Sequence, residues 1–175
     1  MTNGLTPSQT VGPYFGILIR GRHECRQVSD ASAAAVIVIE GQVLDGGGNV
    51  IPDALVETWQ TDPPSDAHFN GYGWAHTRAD GGFRFETVKP GRIPAPEGGG
   101  EQAPHIVVSV MARGILTRFL TRIYFEDEAS NAQDPVLALV PAERRDTLMA
   151  RRIGEGHYRF NLVMQGAGET VFFDV

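Results

Sequence analysis

The sequence predicts a mainly β chain, folded as a β-sandwich with an N-terminal arm and one short surface helix. Three observations lead there. Short runs rich in Val, Ile, Thr and aromatics recur from residue 36 onward, bounded by Gly, Pro, Asn and Asp. Glycine-bearing turns such as Asp45-Gly46-Gly47-Gly48-Asn49 and Asp80-Gly81-Gly82 separate them. Only one stretch carries helical signals. Strands are expected near 36–45, 54–61, 73–79, 83–88, 105–113, 116–126, 157–165 and 169–175. The helix is expected over 141–152, where Pro141 suits a first turn and Leu148, Arg152 and their neighbours give only one thin apolar side, which predicts a helix lying on the surface. Residues 1–35, punctuated by Thr6-Pro7 and Gly12-Pro13, read as an irregular arm, and 36–175 as the β-sandwich domain.

The composition narrows the chemistry. A chain of 175 residues is the size of one domain. The lone Cys25 excludes an intrachain disulfide or a cysteine-cluster metal site and fits a reducing, cytoplasmic setting. No apolar run is long enough to cross a bilayer, and Met1-Thr2-Asn3-Gly4 lacks the basic start of a leader, so neither membrane nor export is expected. A net charge of −6 argues against a nucleic-acid partner. Lys89 is the one lysine, in a turn-like Lys-Pro-Gly, and leaves a single candidate for amine chemistry. The glycine-rich loop 94–104 precedes a strand, not a helix, and matches no phosphate-cradle pattern. Gly-x-Ser-x-Gly is absent, and Cys25 with nearby His23 reads as an incidental pair in a polar loop.

Five His (23, 68, 76, 105, 157) and four Tyr remain as possible ligands. On a strand, His-x-His would present two imidazoles to one face. Here the corresponding triplet is His105-Ile106-Val107, which reads more simply as a core histidine.

Eight blocks carry a resemblance: Thr6-Pro-Ser-Gln-Thr10, Gly12-Pro13-Tyr14, Val56-Glu-Thr-Trp-Gln60, Thr87-Val-Lys-Pro-Gly91, Ala103-Pro-His-Ile106, Met111-Ala-Arg-Gly-Ile115, Thr121-Arg-Ile-Tyr-Phe125 and Gly168-Glu-Thr-Val-Phe-Phe173. In this order, and nearly end to end, the chain resembles the intradiol ring-cleavage dioxygenases, closest to the alpha-type chains of the branch that cleaves 3,4-dihydroxybenzoate. The resemblance implies an intradiol-type β-sandwich and an alpha–beta hetero-oligomer. It also implies Fe(III) held by the partner beta chain through two Tyr and two His, with O2 and a small aromatic as substrates.

The resemblance also marks what this chain lacks. The catalytic chains carry a Tyr after Lys-Pro-Gly, where Ile93 stands here. Their second His is here Val107, and their Arg just before the pair is here Gln102. The segment of the other Tyr ligand is short (Asp62-Pro-Pro-Ser-Asp66), and Tyr72 aligns away from it. Fe(III) favours phenolate and imidazole donors, which Ile and Val cannot replace. Ile93, His105 and Val107 are therefore expected to mark a degenerate iron site, with no metal and no catalytic residue in this chain. By the same resemblance, Thr10, Gly12, Pro13, Tyr14 and Arg113 line the substrate pocket of the beta chain. Arg113, on one continuous strand with His105, would lie about 26 Å away, at ~3.3 Å per residue, and would meet the substrate carboxylate. A salt bridge at a surface or interface is the plainer reading of Arg113. Arg118 and Arg122 read as strand-face charges at a subunit contact. Trp59, Trp74, Phe83, Phe85, Phe119, Phe125, Phe172 and Phe173 read as core or interface aromatics. The rival functional reading is a stand-alone, non-catalytic binding or scaffold protein of the same fold. An iron-binding homo-oligomer is disfavoured by Ile93 and Val107.

Overall fold

The computed structural model describes residues 6–10, 12, 17, 21–30, 32, 35–95 and 99–174. The strands are β1 (Glu24–Arg26), β2 (Val36–Leu44), β3 (Leu55–Trp59), β4 (Tyr72–His76), β5 (Gly82–Val88), β6 (Ile93–Pro94), β7 (Glu101–Gln102), β8 (His105–Met111), β9 (Phe119–Phe125), β10 (Met149–Gly154), β11 (His157–Arg159) and β12 (Leu162–Val163). The main sheet runs β1-β5-β2-β11-β10-β9-β8-β3-β4, with β12 added beside β2, while β6 and β7 form a separate hairpin. Strand β10 joins the two layers. Its residues Met149 and Ala150 pair with β9, and Arg151 to Gly154 pair with β11.

Alternation of apolar residues builds the core between these layers. Ile37, Ile39 and Val43 of β2 and Phe83 and Phe85 of β5 face Val56, Ile106, Val108, Val110, Ile123 and Phe125. Strand β1 lies parallel to β5 and brings Cys25 into this core, where Arg22 Nη2 donates to Sγ at 3.3 Å. The polar loop expected around Cys25 is thus a short edge strand that buries Cys25 alone, because β5 offers it a free edge. Residues 1–35 are accordingly not irregular throughout.

Two further expectations change. Residues 141–152 do not form one helix: Ala142–Leu148 is a 3-10 helix, and the chain then extends into β10. Leu148 is not at the surface but wholly buried with Tyr124, Leu137 and Val140. Pairing with β9 and β11, together with burial of Leu148 and Ala150, outweighs the local helical preference. Residues 169–174 make one bridge, Leu120 with Phe173, rather than a strand. Their polar groups are met irregularly, with Thr121 Oγ1 donating to the Val171 carbonyl at 2.6 Å.

Between β11 and β12 the chain bulges over β2. Phe160 N donates to the Glu40 carbonyl at 2.9 Å, and Asn161 Oδ1 accepts from Gln42 N at 3.1 Å, so a side chain replaces the missing ladder bond. This close crossing requires Gly41, since a Cβ there would collide with the Phe160 carbonyl oxygen.

Candidate functional site

The marked positions gather at two opposite ends of β8. At its start, Ile93 from β6 and His105 and Val107 from β8 share a small cavity with Trp59, Gln60, Thr61, Asp62, Pro90 and Gly91. The antiparallel register of β3 and β8 sets Trp59 opposite Val107 and so closes one wall. Its volume is about 20 Å³, room for a single water. The polar groups around it are already engaged. Asp62 Oδ2 accepts from Gly91 N at 2.9 Å, and a Cβ on Gly91 would fill that space. Gln60 Nε2 donates to the Val88 carbonyl at 2.9 Å and Gln60 Oε1 accepts from Thr87 Oγ1 at 2.9 Å.

His105 is the one imidazole in this cavity. Its ring nitrogen Nδ1 lies 2.8 Å from the Ala103 carbonyl, so it donates there and the neutral ring keeps its lone pair on Nε2. Burial, and then the nearby Arg122 guanidinium, holds its pKa below the ordinary value of 6.5. The unfolded chain therefore binds this proton more readily than the folded one. The associated stability is complete above pH 6.5 and is lost as pH falls through the folded pKa. His105→Gln keeps an N–H for Ala103 and removes the titration. Its urea midpoint is expected to fall less steeply below pH 6.5 than that of the unsubstituted chain.

Behind His105 lies a polar network that sequence reasoning missed. Arg122 Nη1 donates to Gln102 Oε1 at 2.7 Å and to Tyr124 Oη at 3.3 Å, and Gln102 Nε2 donates to the Pro94 carbonyl at 3.0 Å. Tyr124 Oη donates to Asp134 Oδ1 at 3.2 Å, and burial is the first cause that pushes its pKa up to about 12. Asp134 also accepts from the backbone N–H groups of Ala103, Val136 and Leu137. Arg122 thus serves this network instead of standing as a free strand-face charge. Arg118 falls outside β9, in the turn before it. Tyr72 sits on the edge strand β4, where it donates to Glu57 Oε1 at 2.7 Å and is not among the residues lining the cavity.

These donors do not fit an iron centre. Ile93 and Val107 offer no lone pair, and no group of three His, Cys, Asp or Glu among the described residues is placed to hold a metal.

At the far end, β8 stops at Met111 and Arg113 lies in the following turn, two residues past the strand, whereas the spacing estimate assumed a strand continuous from His105 to Arg113. Arg113 Nε pairs with Asp53 Oδ2. Thr10 Oγ1 accepts from Gly114 N at 3.2 Å and faces Gly12 N at 3.5 Å. The fold thus brings Thr10, Gly12 and the Arg113 turn together. Pro13 and Tyr14 lie outside the described residues. Asp53 carried no signal in the sequence; it lies in the turn before β3, and only the folded chain brings it against the turn that holds Arg113.

Comparison with known proteins gives the context. A family model described as Dioxygenase matches residues 11–166. The chain is 47% identical to the protocatechuate 3,4-dioxygenase alpha chain of Burkholderia cepacia, over 97% of both chains. The chain belongs to the intradiol dioxygenase family. Within it, the protocatechuate 3,4-dioxygenase beta chain of Burkholderia cepacia is 34% identical over 77% of this chain and 66% of its own length. The fold is likewise that of this dioxygenase family. The crystal structure of catechol 1,2-dioxygenase from Pseudomonas arvilla C-1 superposes with a TM-score of 0.63 at 20% identity, over 85% of this chain and 59% of the other. Among the described residues, no helix is long and apolar enough to cross a membrane.

Proposed function

We propose that this chain is the alpha subunit of a protocatechuate 3,4-dioxygenase whose Fe(III) is held by a beta partner chain. The pair cleaves 3,4-dihydroxybenzoate with O2 to 3-carboxy-cis,cis-muconate in the cytoplasm. The observation that carries this reading is the cavity of Ile93, His105 and Val107. It offers one imidazole beside two hydrocarbon side chains, which supports a reading in which another chain holds the metal. The high identity to an alpha chain, and the weaker likeness to a beta chain, support a heteromer of two related subunits.

In this reading the arm (residues 1–35) and the end of β8 reach the partner's pocket. Thr10, Gly12, Pro13 and Tyr14 form a wall, and Arg113 meets the substrate carboxylate through a two-pronged guanidinium contact. Residues 36–175 supply the sandwich on which both are mounted.

Co-expression with an intradiol beta chain tests the proposal. The expected product is a stable heteromer with one iron per alpha–beta pair, a burgundy colour and ring-cleaving activity. The alpha chain purified alone is expected to be colourless, free of stoichiometric iron and inactive. Iron and colour in the isolated chain would sink the proposal, and failure to form a heteromer would favour a stand-alone scaffold.

A further inference from the structure

We propose that Asp53 is the positioning residue that presents Arg113 to the substrate carboxylate, an inference that rests on the role given to Arg113 above. The two residues are fixed in opposite ways. Leu55 faces Met111 in the antiparallel pairing of β3 and β8. Two residues beyond these strand ends, in the adjoining turns, Asp53 Oδ2 and Arg113 Nε form an ion pair. Asp53 sits on a clamped backbone. Buried Thr77 donates through Oγ1 to the Ile51 carbonyl at 2.8 Å and accepts from Ala54 N at 2.9 Å. Thr77 N also donates to the Ala54 carbonyl at 2.9 Å. The Asp53 side chain is 20% exposed, whereas that of Arg113 is 60% exposed and sits in a turn closed by Gly114 at positive φ. A rigid carboxylate therefore holds a long, otherwise mobile side chain.

The atoms used matter. The Asp53 contact is made at Nε, which is not part of the Nη1–Nη2 edge. That edge is the one that receives a carboxylate end-on, through two parallel N–H donors. Thr10, bound to Gly114 N, places the arm beside the same turn. An aromatic acid entering here meets a guanidinium whose orientation is already set, so less side-chain freedom is lost on binding.

The test uses the assembled alpha–beta holoenzyme, with 3,4-dihydroxybenzoate and catechol compared. Both the KM and anaerobic binding, followed by the change in the iron-linked absorption, are measured. Asp53→Ala is expected to raise the KM and Kd for 3,4-dihydroxybenzoate about three- to ten-fold, with kcat and the values for catechol moving less than about two-fold. Asp53→Asn keeps an acceptor for Nε and is expected to recover most of the loss. In an Arg113→Ala background, Asp53→Ala is expected to add less than about two-fold, since the pair acts as a unit. Arg113→Ala alone tests the underlying reading, because equal effects on both substrates remove the carboxylate role and the Asp53 proposal with it. If Arg113→Ala is selective, the Asp53 proposal is overturned by any of three results. These are tighter binding in Asp53→Ala, an equal shift for catechol, or no recovery in Asp53→Asn. Melting temperature and heteromer yield are read for every variant, so that a folding defect is separated from a loss of positioning.

Discussion

Asp134→Ala is expected to lower the stability of the chain by roughly 3–5 kcal/mol, because buried donors left without an acceptor lose about 1–3 kcal/mol each and only some can be re-met by water. Asp134 is 1% exposed and accepts from three backbone N–H groups and the Tyr124 hydroxyl. Its loss strands Ala103 N and thereby loosens the carbonyl that fixes His105. It also frees Tyr124 and, through it, Arg122. Asp134→Asn keeps an oxygen toward Tyr124, Val136 and Leu137 but turns an amide N–H₂ toward Ala103 N. It is expected to fall between the two. Urea unfolding of the three proteins at neutral pH checks the order, and an alanine variant within about 1 kcal/mol of the original would show that the network carries little of the stability.

Gly41→Ala is the second large expected loss, on the order of 3 kcal/mol or more, enough to prevent folding in many domains. The reason is local and steric. The added Cβ would meet the Phe160 carbonyl oxygen, which belongs to backbone and cannot rotate aside. Relief requires lifting the Phe160–Asn161 bulge away from β2, which breaks the bonds from Phe160 N to the Glu40 carbonyl and from Gln42 N to Asn161 Oδ1. By contrast, Gly48→Ala meets no atom within 4 Å, and its positive φ of 79° is expected to cost only about 1 kcal/mol. Comparing the two melting temperatures separates close approach from backbone strain. Equal shifts would show that the crossing at Gly41 is not the constraint.

The degenerate site was legible because its letters sit in separate blocks whose order survives in the linear chain. The family resemblance marks Ile93, His105 and Val107 as one site, and the β6–β8 arrangement brings them onto one cavity. Its polar backing was not legible. Arg122 read as a strand-face charge at a subunit contact because alternation with apolar residues gives its face, not what covers that face. The covering comes from Gln102 on a two-residue strand and from the segment around Asp134, both distant in sequence. The failed helix at 141–152 has the same origin: local propensity favours it, but Leu148 is buried among Tyr124, Leu137 and Val140, and Ala150 pairs with Phe125 of β9.

The amino-acid sequence alone determined the sandwich, because period-two alternation and glycine turns are local properties of the chain. It also determined that Ile93 and Val107 cannot serve as ligands, because that follows from side-chain chemistry at two positions. Only the tertiary structure decided which partners the charged residues take. Asp53 meets Arg113, and Arg122 meets Gln102, because the assembled sheet brings turns and strands that are distant in sequence side by side. The register depends on the packing of all the strands at once, and no single segment encodes it.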